Sequence, residues 1–198
     1  MRPGVDTTKI RMRPPRRLPL PLRSPRLTIR LPTPADVEDY YRILSAPEVR
    51  RLMQPEEPWT RDMVRANIAL RRREAREGSR YDLAVELRSI RRVVGRVALK
   101  GIDLLHARAE LAYWFGPDYW GHAFATEAAY TLCRAAFRDL HLHRIDAQAH
   151  ELNERSTALL ERLGFREEGT LREAFRYQKH RVAMLQFGLL RGDLRAPK

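Results

Sequence analysis

Residues 109–140 change their hydrophobic period within a few positions, and that change restricts the fold more than any other feature of the chain. "AELAYWF" (109–115) places apolar side chains as a strand does. The next residues, "GPDYWGHA", hold Gly116, Pro117 and Gly121, which mark a turn. From residue 123 a stripe of Ala125, Ala128, Leu132, Ala136 and Leu140 follows the 3.6-residue spacing of a helix. A strand that runs through a tight turn into a helix belongs to an α/β fold. It also places any ligand at the carboxyl end of that strand.

The same periods order the rest of the chain. "RLTIRL" (26–31) alternates as a strand, and Thr33-Pro34-Ala35-Asp36 supplies a helix N-cap, a proline at the first helical position and an acid at the third. That helix is expected to run to about Leu44. Thr60 and Asp62 open a second helix that Gly78 closes, and the proline-bearing residues 46–59 between them read as a loop or broken helix. Residues 81–87 and 93–99 alternate as a hairpin. "HRIDAQAH" (143–150) is a strand, Asn153 caps a helix ending at Gly164, and 165–171 and 183–190 close as strands. The order β-α-α-β-β-β-α-β-α-β-β describes one α/β domain with about seven strands and about four helices.

The chain has 198 residues, enough for one well-packed domain, and its net charge is +13. Residues 1–26 carry eight basic residues against Asp6, so +7 of that charge lies there, with six of the thirteen prolines. This composition buries little, and residues 1–24 are expected to form a disordered Pro/Arg-rich tail ahead of a domain at 25–198. The tail reads as a dispensable leader, with an arm for an acidic partner such as RNA as the alternative. No apolar run of about 18 residues is present, so no membrane span is expected. The single Cys133 excludes an intramolecular disulfide and suits a reducing cytoplasm.

The first N–H groups of a helix lack intrahelical partners and carry partial positive charge. Small residues at 121, 123 and 125 would let a pyrophosphate approach them, with the Thr126 hydroxyl nearby. Plain packing of helix on sheet explains the same residues, so the turn by itself leaves both readings open.

Further motifs narrow the choice. Asp118-Tyr119-Trp120-Gly121-His122-Ala123 resembles the Q/R-x-x-G-x-G/A cofactor motif of the GNAT acetyltransferases, with Asp at its first position. "HRIDAQAHELNERSTALLERLGFREEGTLREA" (143–174) is similar to the Asn-x-x-Ser…Leu-Gly-Phe-x-x-Glu-Gly segment of the branch that acetylates N-terminal alanines of ribosomal proteins. The resemblance covers about residues 26–194. It implies a splayed, mixed, mostly antiparallel sheet and acetyl transfer from acetyl-CoA to a primary amine. It further implies that the backbone of Trp114 and Phe115 pairs with the pantetheine arm. Trp120, Gly121, His122, Ala123, Phe124, Ala125 and Thr126 would hold the pyrophosphate, and Asn153 and Ser156 would lie beside the arm and the sulfur.

An amine attacks a thioester only when neutral, and the departing thiolate gains from a proton donor. Glu110, on the strand that would carry the thioester, is the expected base, with a rim ion pair as its alternative role; Glu173 stands second, and Glu168 is assigned to a structural corner. Ser156 is the expected acid by its place in the motif, with Tyr177 as substitute. Cys133 reads as a small core residue, and His141 and His143 lack the neighbours of a metal site. Ala183 stands where relatives of this branch commonly carry aspartate. The expected acceptor is a protein N-terminus, with possible ribosome association, and the chain is expected to act as a monomer or homodimer. A polyamine or antibiotic acceptor is the rival, kept open by Glu56 and Glu57, and a non-catalytic acyl-CoA-binding adaptor is the third reading.

Overall fold

Leu27 and Ile29 alternate into the core and form β2 (Leu27–Arg30), the first long pairing of the sheet seen in the computed structural model, which describes residues 16–53 and 57–197. The other strands are β1 (Leu22–Arg23), β3 (Tyr81–Leu87), β4 (Arg92–Asp103), β5 (Arg108–Phe115), β6 (Arg144–His150), β7 (Arg166–Tyr177) and β8 (His180–Leu190). They form one eight-stranded sheet in the order β1-β2-β3-β4-β5-β6-β8-β7. Every neighbouring pair is antiparallel except β5 and β6.

The helices are α1 (Val37–Ser45), α2 (Pro47–Met53), α3 (Arg61–Glu77), α4 (Phe124–Ala135) and α5 (Glu154–Leu163). Local chemistry sets their ends. The Thr33 N–H donates to Asp36 Oδ2 at 2.6 Å at the start of the turn that leads into α1. The Met63 N–H donates to Thr60 Oγ1 at 3.2 Å at the start of α3, and Gly78 ends that helix at φ +79°. Period-two alternation divides the core between two faces. Tyr81, Leu83 and Val85 pack with α4 and α5, whereas Ala84 and Trp114 pack with α1 and α3.

Two expectations change, and one open alternative is resolved. The tail boundary at residue 24 falls inside the fold: Leu18 and Leu22 are buried, the Leu18 N–H donates to the Tyr81 hydroxyl, and β1 is the added eighth strand. The alternating leucines among these prolines offer apolar surface that the sheet edge takes up. Part of the 46–59 loop is α2, whose proline occupies the first helical position, where a missing N–H costs nothing. β7 continues six residues past its expected end at Leu171; as the sheet's edge it is mostly exposed, and its polar residues carry no alternation. Of the acids placed in the 46–59 segment, Glu56 lies outside the described residues and Glu57 is exposed.

Candidate active site

The sheet opens where β5 and β6 part. They pair only from Arg108 with Arg144 to Leu111 with Ala147. Beyond that point Ala112–Phe115 stay on β4, while Gln148–His150 stay on β8. A cavity of about 710 Å³ fills the opening and runs to the start of α4. Lining it are Glu110, Trp114, Phe115, Trp120, Gly121, Ala123, Phe124, Ala125, Thr126, Asn153 and Ser156. The expected site residues thus come together, apart from His122. That ring is exposed, stacks on Phe124 at 5.7 Å between centroids, and does not line the cavity.

Backbone alternation decides which edge of β5 serves the opening. The Gly116 N–H donates to the Val94 carbonyl on β4, so the peptide groups of Trp114 also turn toward β4. Those of Tyr113 and Phe115 turn toward the cleft, where Trp120 Nε1 donates to the Phe115 carbonyl at 2.9 Å. Tyr113 and Phe115, more than Trp114, therefore offer main-chain groups to an extended ligand.

The entry to α4 leaves main-chain N–H groups free. Gly121 (φ +81°) and Ala123 (φ +59°) both adopt the left-handed conformation, and no side chain caps the helix. The first α4 bond runs from the Glu127 N–H to the Ala123 carbonyl at 3.0 Å, leaving the N–H groups of Phe124, Ala125 and Thr126 outside the helical ladder. Left-handed backbone at a non-glycine residue costs about 1–2 kcal/mol, and Ala123 carries that strain at the point where the amides converge. Ser24, from the expected tail, and Arg26, just past it, brace this turn. Ser24 Oγ donates to Glu127 Oε1 at 2.7 Å, and Arg26 pairs with Glu127 and covers the Phe124 ring at 4.4 Å.

On α5 the Ser156 N–H donates to Asn153 Oδ1 at 3.3 Å, which caps the helix and holds Ser156 at its first turn. Ser156 Oγ lies 2.8 Å from the Tyr113 hydroxyl. Burial pushes the Tyr113 phenol well above its ordinary value despite that bond, so it remains protonated at neutral pH. Arg155 covers the Trp120 ring at 4.9 Å, and Arg162, two turns further along α5, lines the same cavity.

The rest of the cavity lining combines charge and apolar surface. Glu110 Oε1 is 2.7 Å from Lys100 Nζ. Val49, Leu52 and Met53 of α2 line the cavity, with Phe175 of β7 and Met184 of β8. His150, at the end of β6, is 5% exposed, and its ring lies parallel to that of Phe175 at 5.1 Å.

The secondary candidates stand elsewhere. Glu173 is exposed and outside the cavity lining, and Glu168 pairs with Arg144. Tyr177 packs on His150 at 5.3 Å, and Cys133 is fully buried, its thiol pushed up by desolvation. Tyr113, Lys100, His150, Arg155 and Arg162 escaped the sequence reading. The seven-residue spacing of Arg155 and Arg162 was the one available signal, since it puts two cations on one helix face.

The splayed sheet brings the α4 start beside the parting strands, and the sequence comparisons give this architecture its class, the acetyltransferases. The acetyltransferase (GNAT) domain profile matches residues 26–166, and the chain belongs to this family of N-acetyltransferases. An uncharacterized N-acetyltransferase, p20, of Bacillus licheniformis is 30% identical over 87% of this chain and 97% of its own. The fold is shared with Mycobacterium smegmatis RimJ, solved with CoA-disulfide (TM-score 0.75, 23% identity, 86% of this chain and 85% of that one). It is shared equally with the Vibrio cholerae spermidine N-acetyltransferase, solved with CoA and spermine (TM-score 0.75, 22% identity, 86% and 98%).

Proposed function

We propose that this protein acetylates the α-amine of a polypeptide N-terminus, with acetyl-CoA as the donor. The observation that carries the acceptor class is the charge of the cavity. Among the described residues Glu110 is its one acidic lining residue, and Lys100 already neutralises it. A polyamine needs unpaired carboxylates for its second and third cations. A peptide N-terminus brings a single amine and a small first side chain, which suits the wall of Val49, Leu52, Met53, Phe175 and Met184. The +13 net charge favours encounter with acceptors presented near a polyanion such as the ribosome.

Acetyl-CoA supplies the acyl group activated as a thioester. The N–H groups of Phe124, Ala125 and Thr126 hold its pyrophosphate, helped by Arg155 and Arg162, and the free edge of Tyr113 and Phe115 aligns the arm. Alignment of amine and thioester in the cleft provides most of the acceleration. Ser156 donates a proton to the departing sulfur. With Tyr113 as the donor in its 2.8 Å pair with Ser156 Oγ, the serine proton is free to point into the cavity.

CoA-thiol release with a panel of acceptors tests this reading. Ala- and Ser-initiated peptides should exceed spermidine in kcat/KM by at least tenfold. A spermidine value equal to or above that of the peptides would overturn the acceptor class. Binding of acetyl-CoA without thiol release from any amine would identify an adaptor instead.

A further inference from the structure

We propose that His150 takes the proton from the acceptor amine, an assignment that rests on the acetyl-transfer reading and gives that site its base. His150 ends β6 on the strand side of the cleft and lines the cavity. It is 5% exposed, and neither Nδ1 nor Nε2 has a hydrogen-bond partner among the described residues. A buried imidazole with two unmatched nitrogens costs free energy, because each polar atom has left water without replacement. Groups retained at that cost beside a cavity are candidates for a task inside it.

The surroundings keep this ring neutral and hold it still. Phe175 lies parallel to it at 5.1 Å and Tyr177 tilts against it at 5.3 Å, so β7 fixes the plane of the ring. Met184 is its cross-strand partner on β8, and the α2 surface that lines the cavity is apolar. Desolvation lowers the imidazole below its ordinary 6.5, and the neighbouring Glu151 opposes that shift only weakly. The other charged groups around the cavity are the Lys100–Glu110 pair, Arg155 and Arg162. A neutral ring can accept a proton at neutral pH. Glu110, the carboxylate expected in this role, already shares its charge with an ammonium 2.7 Å away.

The proton balance closes. The acceptor ammonium passes one proton to a His150 ring nitrogen, which returns it to bulk water between turnovers. The neutral amine then forms the C–N bond to the thioester carbon, and the C–S bond breaks. The nitrogen's second proton goes to the Ser156 oxygen and replaces the one that this hydroxyl gives to the departing sulfur. No oxidant, metal or further reactant enters.

The full-length protein provides the test, assayed with whichever amine the wild type turns over fastest. His150→Phe preserves the ring stack on Phe175 and should fold, yet kcat should fall on the order of 10²-fold. Its dissociation constant for acetyl-CoA should stay within about twofold, since general-base loss leaves ground-state cofactor contacts intact. The wild-type rate should drop on the acid side as the ring protonates below 6.5, and His150→Phe should lack that limb. Added imidazole should restore part of the rate in His150→Ala. Retention of more than half the wild-type kcat by His150→Phe would overturn the proposal. So would a larger loss in Glu110→Gln than in His150→Phe. Independently of turnover, a His150 ring resonance that titrates at or above 6.5 would also overturn it. A polyamine preference of the wild type counts against the N-terminal acceptor alone and leaves the His150 comparison valid.

Discussion

Single residues at the α4 entry trade backbone comfort for an open set of amides. Gly121 holds φ +81° with no heavy atom within 4 Å of the place its Cβ would occupy. Gly121→Glu therefore meets open space, pays about 1–2 kcal/mol for the left-handed backbone and sets a carboxylate beside the free N–H groups at the α4 start. We expect a folded protein whose acetyl-CoA affinity falls at least tenfold by calorimetry, and an unchanged affinity would remove this turn from the site. The Tyr113 hydroxyl makes a different kind of contribution. Tyr113→Phe removes one partly buried hydrogen bond, worth about 1 kcal/mol, and frees Ser156 Oγ to rotate. The stability loss should appear in chemical denaturation, together with a several-fold drop in kcat at unchanged acetyl-CoA affinity. At this scale the sequence displayed the small residues of the turn plainly. It gave no sign that Tyr113 reaches Ser156, 43 positions away in the chain.

Elements owe their limits to caps that are legible in the sequence, and their neighbours to contacts that are not. Thr60 caps α3 from an exposed position remote from the cleft. Thr60→Ala should cost about 1 kcal/mol in denaturant and leave acetyl-CoA affinity unchanged, a clean measure of cap strength. Gly164 closes α5 at φ +96°, and a Cβ there would lie 2.0 Å from the Asp193 carbonyl oxygen. The clash is with main chain and cannot be relieved by a rotamer change, so Gly164→Ala should lower the melting temperature by several degrees. The cap residues announced α1, α3 and α5 well. By contrast, α2 and the far half of β7 lacked any periodic signal, because one is short and the other lies exposed at the sheet's edge.

At the scale of the molecule, residues 16–24 belong to the fold, with Leu22–Arg23 in the sheet. Deleting residues 1–24 strips Leu18 and Leu22 from the core, removes the β1–β2 pairing and takes Ser24 from Glu127. Burial of two leucines is worth about 3–6 kcal/mol. The deletion should therefore lower the melting temperature by roughly 10 °C and weaken acetyl-CoA binding through the α4 start. An unchanged melting curve would show these contacts to be idle. Acid stability depends on a contact between residues six apart in the chain. Burial opposes ionisation of Asp36, but the paired bonds from Arg30 and the Thr33 N–H outweigh it and hold its carboxyl below 3.8. The contribution is thus complete above pH 3.8 and is lost as pH falls through the lowered value. Asp36→Asn should reduce stability at neutral pH and flatten its decline below pH 3.8.

The sequence by itself determined the positions of seven of the eight strands, the helices with clear caps, the strand-turn-helix unit and the family, because each rests on neighbours within a few residues. Periods of 2 and 3.6, a capping side chain and a left-handed glycine act locally and leave a local record. Tertiary structure alone decided where β5 and β6 part, which edge of β5 faces the opening, and that Lys100 neutralises Glu110. It alone isolated the His150 ring between β7 and the cavity. These outcomes depend on which distant strand supplies each pairing and on where that pairing stops. Register across a sheet is set by the sum of side-chain burial on both faces, and no single segment contains that sum.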